Sequence, residues 1–94
     1  MLMYKAMYKI DDDGVTALVL DFPGAISCGD DLPDARRMLH DALVLMAETY
    51  LADGKPLPTP DPTLTSDDSD VEEPIYLLLS AASKVAVVPQ DVPA

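Results

Sequence analysis

The sequence predicts an α+β fold of order β-β-β-α-β, a small three- to four-stranded antiparallel sheet with one long helix packed on one face. Three observations carry that expectation. Residues 3–10 alternate with the period of a strand, residues 15–22 follow as a second and richer one, and Asp11-Asp12-Asp13-Gly14 between them has the chemistry of a hairpin turn. The stretch DFPGAISCGD, residues 21–30, breaks the apolar run with two glycines and a proline. Residues 31–54 then read as an amphipathic helix with both ends marked.

Along the first strand Tyr4, Ala6, Tyr8 and Ile10 fall on one side, with Met3, Lys5, Met7 and Lys9 on the wetter one. The second strand is the richer in apolar residues. It must end or bulge at Pro23-Gly24, because proline has no N–H for a ladder and glycine is free to turn; residues 25–28 form a shorter third strand. In the helix, Asp31 is the N-cap, Pro33 sits in the first turn, Asp34 suits the positive helix end and Gly54 suits a left-handed C-cap. Leu32, Ala35, Met38, Leu39, Ala42, Leu43, Met46 and Tyr50 recur at three- and four-residue steps, a stripe for the sheet, while Arg36, Arg37, Asp41 and Glu48 face water. Residues 42–47, ALVLMA, are apolar all round, so Val44 and Leu45 emerge on the far side as candidate contacts between subunits, unless the following loop covers them.

Residues 61–74 read as an acidic, proline-rich linker, extended and mobile, after a core of residues 1–60. Its acidic run is Asp67, Asp68, Asp70, Glu72 and Glu73. Residues 75–89 hold two β-rich runs, 75–79 and 85–88, that complete the sheet as one strand or a last hairpin; residues 90–94 are a tail.

Ninety-four residues make one domain, and a chain of this size buries only about 60–65% of the surface it exposes unfolded. With one Phe and no Trp its core is thin, so a homodimer or larger homo-oligomer is expected. Seventeen acidic against six basic residues give a formal charge of −11, which repels nucleic-acid phosphate and anionic membranes and favours a cationic protein partner; solubility alone is the plainer account. One cysteine excludes an internal disulfide or a zinc site built of cysteines. The opening MLMYKAMYKI is too broken by Lys5 and Lys9 for a secretory signal, and no run approaches about 18 apolar residues, so a cytoplasmic protein is the default.

Phe22, Pro23, Gly24, Gly29, Asp30, Leu32, Ala35, Ala42, Gly54 and Pro58, in that order and spacing over residues 3–60, resemble the HicB antitoxin family of HicA–HicB toxin–antitoxin systems. The resemblance implies a partial ribonuclease-H-like fold that binds and silences a small basic mRNA-cleaving toxin. It implies no enzyme activity, no cofactor and no metal. Many members also carry a C-terminal helix-turn-helix or ribbon-helix-helix that binds the operator; here no basic amphipathic segment follows Leu79, and Lys84 is the one positive charge beyond Lys55, so no direct nucleic-acid binding is expected.

Other readings of the same residues stand beside this one. Asp21, at the end of a central strand, is either a turn residue or the remnant of a ribonuclease-H-like metal carboxylate; one carboxylate does not make a two-metal site. Cys28 and His40 would be a nucleophile and base if they met in a pocket, and otherwise a small buried hydrophobe and an exposed helix residue. Phe22-Pro23-Gly24 plugs the sheet end or contacts a partner. The acidic run 67–73 is a solvated linker or an anionic arm that folds onto a basic groove and excludes RNA phosphate. The alternatives to an antitoxin are therefore an orphan regulatory or scaffold module with a partner that is not a ribonuclease, and a small hydrolase or nuclease.

Overall fold

The computed structural model describes residues 1–78. Four strands, β1 (Leu2–Asp11), β2 (Gly14–Val19), β3 (Ile26–Gly29) and β4 (Val71–Leu77), form one antiparallel sheet in the order β3-β2-β1-β4, and the helix α1 (Leu32–Ala52) lies on one face. The α+β layout read from the pattern is the one observed.

Alternation sets which face is buried. Tyr4, Ala6 and Tyr8 of β1, Val15, Ala17 and Val19 of β2, and Ile75 and Leu77 of β4 point to the helix side. Against them α1 lays Ala35, Leu39, Leu43 and Ala47, all fully buried. Four-residue steps put these on one line, with Met38 off it and 36% exposed; the expected stripe was thus displaced sideways and lacked Ala47. Ile10 shares the helix-side alternation but stands beyond the cover and is exposed. Met7, on the opposite face, is 5% exposed because its cross-strand neighbours Leu18 and Glu72 flank it.

Both helix ends are capped by local chemistry. The Asp31 side chain accepts from the Asp34 N–H at 2.9 Å. At the other end Lys55 N donates to Tyr50 O (2.8 Å) and Gly54 N to Leu51 O (3.1 Å), with Gly54 at φ +75°, a Schellman arrangement.

The chain between α1 and β4 is not a loose linker. Pro58 O accepts from the Tyr4 hydroxyl at 2.7 Å, Asp61 N donates to Asp21 at 2.9 Å, and Lys5 Nζ donates to Pro62 O and Leu64 O at 2.9 and 2.8 Å. The proline carbonyls, which no ladder uses, supply the acceptors that side chains on β1 reach. β4 begins at Val71, inside the expected linker, because Asp70 N donates to Tyr8 O and its carboxylate accepts from Ile10 N, which starts the pairing with β1. Pro74 is tolerated within β4 because that strand is an edge. The expected run at 85–88 and the tail lie outside the described residues.

Candidate partner-binding surface

Strand β2 ends at Val19, three residues short of Phe22, and the turn that follows is tied by Val19 N to Ala25 O, Phe22 N to Val19 O and Ala25 N to Phe22 O. Phe22 is fully buried, edge-on to Tyr4 at 5.2 Å and tilted against Tyr50 at 5.1 Å. Gly24 has φ +92°, and a Cβ there would come within 2.6 Å of Met46 Cε. At Gly29 a Cβ would stand 2.4 Å from the Ala35 amide nitrogen, so only glycine lets α1 approach β3 this closely. The motif that carries the family resemblance is thus used internally; its backbone sets where the helix sits.

Asp21 is a buried latch, 7% exposed, and accepts from Lys5 N at 2.8 Å and from Asp61 N at 2.9 Å. It joins β1, the end of β2 and the strap from α1, the role of a buried carboxylate whose oxygens are both satisfied. Among the described residues no group of three His, Cys, Asp or Glu side chains is placed to hold a metal.

Cys28 and His40 do not share a pocket. Cys28, expected as buried, is exposed on the edge strand and lines a groove with Asp30, Asp34 and Met38; His40 lines another, between α1 and β4, with Tyr8, Arg36 and Glu73.

The acidic run 67–73 divides in two. Glu73 takes a two-point contact from Arg36, at 2.9 and 2.8 Å. Glu72 accepts from Ser66 N at 2.9 Å and from the Thr65 hydroxyl, and lies 4.0 Å from Lys5 Nζ; these donors, the Ser66 amide foremost, hold its carboxyl below the usual range. Asp70 starts β4. Asp67, Asp68 and Asp70 stay exposed to solvent. Tyr8, next to Glu73, has its phenol pushed up to about 12, by burial first and the carboxylate second.

A further field of carboxylates forms around the turn of the chain's first hairpin. β2 leaves the Asp11-Asp12-Asp13-Gly14 turn and β3 runs back to it, so the helix start, with Asp30, Asp31 and Asp34, is delivered beside the turn. Gly14, at φ +139°, has the Gly29 carbonyl oxygen 2.7 Å from where a Cβ would stand. Asp11, Asp13, Asp30 and Asp34 line one groove of about 300 Å³ with Thr16, Cys28 and Met38. Asp34 accepts from Asp30 N at 3.0 Å and pairs with Arg37; the backbone bond first and the guanidinium second hold its carboxyl low. Charge at this end is further favoured by the positive end of α1. Sequence reading missed this surface, although the signal was there: a hairpin plus an antiparallel return must bring residues 30–34 to the turn at 11–14.

The three acidic turn residues and the helix start therefore make a compact anionic end on a rigid sheet, next to the free edge of β3. The charge of such a surface is complementary to cationic protein segments. No described helix is long and apolar enough to cross a membrane.

No protein-family model matches the chain. It is similar to Antitoxin HicB 2 of Photorhabdus laumondii subsp. laumondii, 31% identical over 87 residues, which is 93% of this chain and 58% of the relative, so the chain spans less than two thirds of that protein. Among solved structures, the antitoxin HicB of Burkholderia pseudomallei superposes with a TM-score of 0.76 at 21% identity, over 98% of this chain and 73% of that one. A chain of a HicA3 and HicB3 toxin–antitoxin complex superposes with a TM-score of 0.56 at 22% identity, over 63% of this chain and 69% of that one. At these identities the structural likeness is one of fold.

Proposed function

We propose, on the premise that the chain is HicB-like in sequence and in fold, that it acts as an antitoxin: a non-enzymatic cytoplasmic protein that binds a small basic mRNA-cleaving toxin of the HicA type. It blocks that toxin by covering its RNA-binding surface. The observation that carries this reading is the anionic end of residues 11–13 and 30–34 on a chain of formal charge −11.

A toxin that grips RNA must present positive charge to phosphate, and a fixed array of carboxylates competes for that charge while its field raises the encounter rate. The array is preorganised, since Asp31 and Asp34 are held by the helix cap and the turn by Gly14, so little ordering opposes binding. Asp67 and Asp68 provide a second, smaller anionic contact. No cofactor is needed for this action.

The test is to co-express the full chain with a HicA-type toxin, follow the pair by size-exclusion chromatography and measure RNA cleavage. Suppressed cleavage and co-elution are expected. Asp11→Asn, Asp12→Asn and Asp13→Asn together, at exposed positions outside the core, should weaken the complex by at least about tenfold. Undiminished cleavage with excess chain present overturns the reading.

A further inference from the structure

We propose that the cavity on the face of the sheet away from α1, between β1, β4 and the strap, is the seat for an arginine side chain of a cationic protein partner. This rests on the reading of the partner as basic and adds a site away from the anionic end.

The cavity follows from how the strap is fastened. Asp61 N is tied to Asp21 on one side and Ser66 N to Glu72 on the other, so residues 62–65 bridge the face of β1, where Lys5 Nζ donates to Pro62 O and Leu64 O. Alternation along β1 and β4 turns Met3, Lys5, Glu72, Pro74 and Tyr76 to this face. The space left has a volume of about 400 Å³, with apolar walls at Met3, Pro62 and Pro74. Among the described residues, the charged groups lining it are the carboxylates of Asp21, Glu72 and Glu73 against the ammonium of Lys5.

These carboxylates differ in what they have to spare. Asp21 accepts one backbone amide at each oxygen, and Glu73 takes the Arg36 fork on the helix side. Glu72 is less fully used. The Ser66 amide bonds its Oε2; the Thr65 hydroxyl, 2.9 Å from Oε1 and 2.8 Å from Oε2, has one proton for the two; and Lys5 Nζ stands 4.0 Å from Oε1, beyond hydrogen-bond length. Oε1 can therefore accept a further donor. The Ser66 amide, first among its donors, holds this carboxyl low, so it stays charged near neutrality. Its side chain is only 21% exposed, and a charge-assisted hydrogen bond formed there is stronger than one in open water.

A guanidinium suits these features best. It sheds water more readily than an ammonium, and its planar fork reaches a carboxylate oxygen with donors left for neighbouring carbonyls. Its stem lies against Met3, Pro62 and Pro74. An anion is disfavoured by the lining carboxylates and by the chain's charge of −11. Beside the mouth, Met3 is 48% exposed, its cross-strand partner Tyr76 47% and Leu64 of the strap 37%. Apolar side chains around a buried polar anchor exclude water from it, which lets one residue carry much of the binding. Lys5 is six residues from Asp11 along β1, about 20 Å, so this site and the anionic end can be broken separately. Of the two residues read from the sequence as subunit contacts, Val44 packs against the core of its own chain and Leu45 is exposed on α1; neither borders this cavity.

The test titrates the full chain with N-acetyl-arginine methylamide and follows backbone amide resonances. Saturable shifts at residues 3–5, 61–65 and 72–76 are expected, with a dissociation constant on the order of 10 mM for so small a ligand, and none with the uncharged citrulline analogue. Met3→Arg, at an exposed position, offers the cavity the chain's own guanidinium. It should weaken binding of the probe, and of a HicA-type toxin, at least about tenfold with unchanged circular dichroism. Glu72→Gln should weaken the probe about as much, whereas Ala52→Arg, which adds the same charge at an exposed site on the end of α1, should change neither. Shifts confined to residues 11–14 and 30–34, equal binding of the citrulline analogue, or a Met3 variant that binds probe or toxin undiminished overturns the proposal. A toxin that the unaltered chain does not bind overturns the antitoxin reading instead, and the probe titration still decides the site.

Discussion

The charged end beside β3 and the apolar side of α1 differ in what they can bind. One holds Asp11, Asp13, Asp30 and Asp34, charged and held by the turn and the helix cap; the other is apolar, with Met38 of α1 36% exposed and Leu45 63% exposed. Fixed charge attracts an opposite partner at long range and gives up little on contact, while an apolar stripe contributes only when water leaves it. One end is thus suited to a cationic chain and the apolar side to a second copy. The difference teaches that a net charge of −11 describes neither surface by itself: it is concentrated at some places and absent from one edge.

The comparison depends on the scaffold that keeps both surfaces on one rigid frame, and the largest expected effect comes from removing its plug. Phe22→Ala empties the space between Tyr4 and Tyr50 and should cost about 3–5 kcal/mol of stability, enough to unfold much of a domain this small. Chemical denaturation monitored by circular dichroism measures it; a loss under about 1 kcal/mol would break the account of the Phe22-Pro23-Gly24 turn as structural. Gly29→Ala should cost somewhat less, about 1–3 kcal/mol, because its Cβ meets backbone atoms of Ala35, and backbone yields less readily than a side chain. That substitution also sharpens the comparison: it lifts the helix start from β3, so partner binding and dimerisation should fall together.

Much of this frame was legible in the sequence, and the misses have one cause. Local chemistry decided the helix ends, since Asp31 and Gly54 act on neighbours within a few residues. Alternation found the helix-facing side of β1 at Tyr4, Ala6 and Tyr8. What escaped was set by residues far apart in the chain. The prolines of the segment after α1 suggested a mobile linker, yet Tyr4, Lys5 and Asp21 fasten it from 40 or more positions away. Glu72 and Glu73 looked free for a partner and are held by Lys5, Ser66 and Arg36. Cys28 looked like a buried hydrophobe because nothing local marks β3 as an edge; that follows from β1 pairing with β4 as well as β2. The anionic end belongs to the same class, as two short acidic runs become one surface only through strand order.

Salt separates the two surfaces without any substitution. Raising chloride from about 0.1 to 1 M shortens the screening length from about 10 to about 3 Å. Binding of a cationic partner at residues 11–13 and 30–34 should then weaken by about tenfold, chiefly through a slower on-rate. Self-association, expected from the thin core, should move the other way, because two chains of −11 repel at low salt and an apolar contact at Met38 and Leu45 does not need the field; its dissociation constant should fall a few-fold. Sedimentation of the chain alone and titration with the toxin across one salt series give both slopes on one sample. Equal slopes of the same sign would mean that a single surface serves both partners, and that the division between the charged end and the apolar side of α1 does not govern recognition.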